Sequence, residues 1–326
     1  MRRRDFIIYS AAMAAWPLVP RAQQAGMPVI GYLCPQTPAA FVSRLRAFRQ
    51  GFEETGYVEG RNVAIEFRWA EGQHDRLRAL AADLVSRQVA LIVAPGGAPA
   101  AIAAKSVTTS IPIVFEMGAD PIAMGLVDSL SRPGGNLTGV SSLSVEVTPK
   151  RLEFLRKAVP TAASIAVLIN PTSPTAGSQL TSLRTMAGAT GLQLHTLSAS
   201  TVGELEAVSA SLLKLRPDGL VFTSDTFFGT NAERFAALTV RHGIPAIHQS
   251  RGFVIAGGLM SYGGSFLESH RQAGIYAGRV LSGAKPADLP VRQVTKIELL
   301  INLKAAKTLG IEFPISLSVL ADIAIE

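Results

Sequence analysis

The sequence predicts an α/β protein made of two doubly wound parallel-sheet lobes. Three observations carry that expectation. Short apolar runs alternate with amphipathic helical segments along most of the 326 residues. A polar stretch rich in Gly and Pro, residues 132–149, divides the alternation into two similar halves. At 48% hydrophobic and 17% charged, the chain can bury two ordinary cores without disulfides or structural metals.

Residues 28–34 (PVIGYLC) form an apolar run bounded by Pro28 and Pro35, which reads as a buried strand. In 39–56, Phe41, Leu45, Phe48 and Phe52 recur at helical spacing, and Gly56 suits the stop. Strands follow at 62–69, 90–94, 112–116 and 137–141, with helices at 75–88 and 98–107. The second half repeats the rhythm with strands at 164–170, 192–197, 219–223, 245–248 and 258–262. Its helices are expected at 149–158, 178–190, 202–215 and 231–242. Short apolar strands separated by helices imply parallel sheets covered on both faces.

The first residues read as an address. Arg2-Arg3-Arg4, the apolar run 6–19 and the small residues around Ala22 have the order of an export signal, assigned to residues 1–25. Residues 3–8 (RRDFII) resemble a twin-arginine signature, and cleavage is expected after Ala22 or after Ala25. The apolar run is shorter than the roughly 20 residues a membrane helix needs. Leu33 before Cys34 argues against lipidation. Four arginines and one aspartate leave with residues 1–22, which takes the net charge from +7 to +4. So small and dispersed an excess gives no reason to expect a nucleic-acid partner.

Chemistry in such sheets belongs to the loops at the carboxyl ends of the strands. The candidates are Cys34, Gln36 and Thr37 after the first strand, Gly96 and Gly97 after the third, and Met117, Gly118 and Asp120 after the fourth. Ser141, Asn170, Ser224, Asp225 and Tyr262 complete the set. Backbone N–H groups at a helix start suit a carboxylate, and Asp225 suits an ammonium. Tyr32 with Tyr262, or Phe227 with Phe228, could flank an apolar or aromatic body. The glycines also fit plain turns, and Asp225 a helix cap.

Enzyme signatures are missing: there is no GxGxxG, no phosphate-binding GxxxxGK[ST], and 258–263 (GLMSYG) has one residue too many for a GxSxG elbow. The five histidines, His74, His195, His242, His248 and His270, do not approach metal-ligand spacing and read as surface or structural groups. The single cysteine, Cys34, rules out an intrachain disulfide and reads as a buried or pocket-wall residue. No cofactor, metal or enzymatic activity is expected.

Residues 120–140 (DPIAMGLVDSLSRPGGNLTGV), 257–263 (GGLMSYG), 283–290 (GAKPADLP) and 300–310 (LINLKAAKTLG) resemble the ABC-transporter substrate-binding proteins of the tryptophan/tyrosine-binding type. That resemblance implies a type I periplasmic binding fold, with two lobes joined by a three-segment hinge and a small-molecule ligand in the cleft. It places lobe 1 at 27–141 plus about 264–290, and lobe 2 at 142–263 plus about 291–326. Crossings fall near Ser141–Ser142, near Gly263–Ser265 and around Pro290. It further implies a periplasmic monomer that delivers an amino acid, aromatic or branched, or a related carboxylate to a permease in the inner membrane. An exported ligand-sensing module for a signalling receptor is the alternative. Carried over, Asp225 faces the ligand ammonium, while Gly96, Gly97 and the 117–120 loop offer backbone donors. Where amino-acid binders often place a Ser or Thr hydroxyl, this chain has Gly97-Ala98, and Thr37 or Ser141 is expected to compensate.

Overall fold

The computed structural model describes residues 26–326, so the export-signal expectation lies outside the described residues. The first lobe begins β1 (Val29–Cys34), α1 (Pro38–Glu53), β2 (Ala64–Trp69), α2 (Leu77–Ser86), β3 (Leu91–Ala94), α3 (Ala98–Lys105), β4 (Ile113–Met117) and β5 (Leu137–Ser141). The second lobe continues α4 (Thr148–Ala158), β6 (Ser164–Ile169), α5 (Ala176–Thr190), β7 (Gln193–Ser198), α6 (Leu205–Leu215) and β8 (Gly219–Phe222). Next come α7 (Thr226–Thr230), α8 (Ala232–His242), β9 (Ala246–His248), α9 (Arg251–Ile255) and β10 (Met260–Gly264). The chain returns to the first lobe as α10 (Phe266–Leu281) and β11 (Arg292–Gln293). It ends in the second with β12 (Ile297–Asn302), α11 (Leu303–Thr308), α12 (Ile315–Ser318) and β13 (Ile323–Ile325).

The sheets run β11-β5-β4-β3-β1-β2 and β13-β12-β10-β9-β8-β6-β7. Both are parallel except that β12 runs antiparallel to β10, which the alternation of strands and helices did not reveal. The third crossing lies at 294–296, beyond the expected position around Pro290. Its strand β11 is held in the first sheet by pairing with β5, Arg292 opposite Val140. Lobe 1 therefore extends through Gln293, and the boundary expected at about 291 moves with it.

The helices cover both faces. In α1, Thr37 Oγ1 accepts the Ala40 N–H at 3.3 Å, Pro38 opens the first turn, and Phe41, Phe48 and Phe52 share the buried face. That face meets α10 at close range, because Gly51, Gly274 and Gly278 carry no side chains where the helices cross. A Cβ on Gly274 would stand 2.1 Å from the Phe48 carbonyl oxygen, and one on Gly51 would stand 1.8 Å from that of Arg271. Such contacts can be relieved only by separating the helices. Replacing Gly274 by Ala is therefore expected to cost on the order of 1–3 kcal/mol by overpacking. A calorimetric melting scan should show Tm lowered by at least about 2 °C, and an unchanged Tm would contradict this packing.

Candidate functional site

The strand order places the reversal between β1 and β3 in one sheet and between β6 and β8 in the other. Loops at the carboxyl ends of strands beside such reversals leave a crevice. Here the two crevices face each other and enclose a small cavity of about 50 Å³ between the closed lobes. Thr226 Oγ1 donates to the Gly96 carbonyl at 2.7 Å across the cleft, and Thr172 Oγ1 stands 3.4 Å from His74 Nδ1. The lobes are closed on one another.

Asp225 caps α7, accepting the Phe227 N–H at 2.9 Å and Asn170 Nδ2 at 3.0 Å while lining the cavity. Burial pushes its carboxyl above the ordinary carboxylate range, and those two hydrogen bonds work against the shift. The loop before it is fixed by Gln179, which is fully buried in α5. Gln179 accepts the Ser224 N–H at 2.6 Å and donates to the Ser224 carbonyl at 3.0 Å.

Across the cleft, Gly96 and Gly97 adopt φ of 84° and 108°, a left-handed backbone that favours glycine. Their N–H groups are already engaged. Gly96 donates to Glu116 Oε2 at 3.2 Å and Gly97 to the Glu116 carbonyl at 3.1 Å. Both residues line the cleft, but as its backbone wall and not as open donors.

Gln36, Gly118, Ser224 and Asp225 also line the cavity. The other expected residues do not. Cys34 and Met117 point into the cores on opposite faces of the first sheet, and burial pushes the Cys34 thiol well up. Thr37 is spent on the α1 cap, and Asp120 turns outward to accept the Ile122 N–H at 2.9 Å. Ser141 donates to the Ala119 carbonyl at 3.1 Å, so neither Thr37 nor Ser141 supplies the missing hydroxyl. Asn170 acts behind Asp225, and the Tyr262 ring packs edge-on against Phe154.

Sequence reasoning missed Arg44 on α1, Glu116 within β4, Phe266 at the start of α10, Gln249 after β9 and His74. His74 follows β2, a strand end that the candidate loops passed over. Arg44 and Phe266 sit on helices, where loop-based reasoning does not look.

Arg151 of α4 is completely buried beside the cleft. Its guanidinium donates to the Tyr262 carbonyl at 2.8 Å, the Ser144 carbonyl at 2.9 Å, Ser224 Oγ at 3.1 Å and Thr148 Oγ1 at 3.1 Å. Burial pushes its pKa down to about 9. No carboxylate forms an ion pair with it among the described residues. Among those residues there is also no cluster suited to a metal ion, and no helix long and apolar enough to cross a membrane.

Two doubly wound lobes closed over a polar cleft define a binding-protein architecture. The family model described as ABC transporter substrate binding protein matches residues 38–325, and the chain belongs to that family. The tyrosine-binding protein of Clostridioides difficile (strain R20291) is 30% identical over 268 residues, covering 82% of this chain and 76% of that protein. An ABC domain from Streptococcus pneumonia in complex with L-Trp superposes with a TM-score of 0.80 at 26% identity, covering 91% of this chain and 99% of the other. A ligand-free, open substrate-binding protein from Clostridium difficile, equally similar in sequence and coverage, gives a TM-score of 0.61. These relatives are substrate-binding proteins and not enzymes.

His248, at the end of β9, accepts the Ser250 N–H at 2.9 Å through Nδ1, which puts its proton on Nε2. Burial first, and the Arg151 charge second, push it down to about 3. The unfolded chain takes up this proton near the ordinary 6.5, the folded chain only near 3. Stability linked to His248 is therefore present above pH 6.5 and lost as pH falls toward 3, with a limiting slope of about 1.4 kcal/mol per pH unit. Urea midpoints measured against pH should fall less steeply over this window in His248→Gln, and equal slopes would refute the assignment.

Proposed function

We propose that this chain is the periplasmic receptor of an ABC importer, holding an amino acid, aromatic or branched, or a related carboxylate between its lobes. The carrying observation is the half-buried Asp225 carboxylate, which lines the closed cleft with an anionic group suited to an ammonium. The tyrosine and L-Trp named for the two relatives support the ligand class. Binding shifts an open–closed equilibrium because only the closed form touches ligand from both sides. The permease then takes ligand from that form. No bond is made or broken, so selectivity is entirely a matter of contacts.

Two measurements test this reading. In a thermal-shift panel, a ligand at 100 times its Kd stabilises by about 2.7 kcal/mol, and tyrosine, tryptophan, phenylalanine or leucine should raise Tm. In calorimetry, Asp225→Asn keeps an acceptor for the α7 cap yet should weaken amino-acid binding on the order of 100-fold. Unchanged affinity in that variant would remove Asp225 as the ammonium partner.

A further inference from the structure

Arg44 is only 7% exposed, and its guanidinium makes no hydrogen bond or ion pair among the described residues, although the Glu116 carboxylate in the same cavity acts on its charge. It lies 5.0 Å from the Phe41 ring centroid and 4.8 Å from that of Phe266, and it lines the cleft cavity. Aromatic contact stabilises the cation but leaves its in-plane N–H donors unused. Those donors open into the cavity, where the acceptor that suits a guanidinium fork is a carboxylate. The backbone alternative is weakened, because Gly96 and Gly97 have spent their N–H groups on Glu116. Lobe 2 also makes room for this side chain: a Cβ on Gly229 would stand 2.9 Å from Arg44 Nη2.

We propose that Arg44 is the carboxylate anchor of the cleft, pairing with the ligand's carboxylate through two parallel N–H···O bonds. This deepens the amino-acid reading and rests on it for the ammonium partner only. Arg44 stands on α1 of lobe 1 and Asp225 on the α7 cap of lobe 2, so a zwitterion reaches both charges only when the lobes close. The charge order makes closure depend on the ligand's two ionic groups. Burial lowers the guanidinium pKa and the Glu116 charge opposes that, while an arginine stays protonated at neutral pH.

The test is calorimetry of the wild type, Arg44→Met and Arg44→Lys with three probes: L-tyrosine, L-tyrosinamide and 4-hydroxyphenylacetate, extended to tryptophan and leucine with their amides. Wild type should prefer acid to amide on the order of 100-fold. Arg44→Met should bring that ratio close to one, and Arg44→Lys should restore part of it. An unchanged ratio in Arg44→Met overturns the proposal and leaves the α3 N-terminus to hold the carboxylate. Equal weakening of acid and amide also overturns it, marking Arg44 as a contact that closes the lobes. Binding of 4-hydroxyphenylacetate without any amino acid would sink the amino-acid reading, and its loss in Arg44→Met with partial return in Arg44→Lys would still establish the anchor, whereas unchanged binding in Arg44→Met would overturn it. A wild type that binds none of the carboxylates would sink both. Melting curves of each variant confirm that the measured protein is folded.

Discussion

A guanidinium sealed from water must find acceptors, and Arg151 finds them on four separate pieces of chain. Two are backbone carbonyls at the crossings between lobes, Ser144 at the first and Tyr262 in the strand leading to the second. The other two are hydroxyls, Ser224 in the cleft loop and Thr148 at the start of its own helix. Desolvating such a group costs several kcal/mol unless every donor is satisfied. The crossings, the cleft loop and α4 are therefore held to one mutual geometry. Ser224 connects that geometry to the cleft, since its neighbour Asp225 lines the cavity.

Opposite each other across the cleft stand elements of different stiffness. The loop bearing Asp225 is clamped by Gln179 and Asn170, whereas Arg44 rests on two aromatic rings belonging to its own lobe. Because α1 and α10 pack through their glycines, Arg44, Phe41 and Phe266 are carried by one helix pair of the first lobe. Excluding water from the closed cleft strengthens each ionic contact made there. A preorganised charge on either lobe also lowers the ordering cost of binding.

Much of the fold was legible in the sequence. Buried parallel strands such as 28–34 and 164–170 are apolar on both faces, and helices such as 39–56 carry a single apolar stripe, so each element declares itself locally. The exceptions were short or nonlocal. The two residues of β11 carry no periodicity, and β12 acquires its antiparallel place only by pairing with β10. The family resemblance was equally a sequence property, being carried by contiguous runs of residues.

The site was legible only where it follows a strand. Ser224, Asp225, Gly96, Gly97, Gly118 and Gln36 reach the cleft because parallel topology sends every such loop to one edge. By itself the sequence determined two α/β lobes, the loop positions and an acidic group at Asp225 suited to a helix cap or an ammonium. Tertiary structure alone decided that the Gly96 and Gly97 amides are satisfied by Glu116, that Cys34 and Met117 face the cores, and that Arg44 lines the cleft without a hydrogen-bond acceptor among the described residues. The physical reason is that hydrogen-bond satisfaction and burial are properties of groups meeting from distant parts of the chain. Spacing along the chain fixes which face a residue occupies, and the opposing lobe fixes what it meets there.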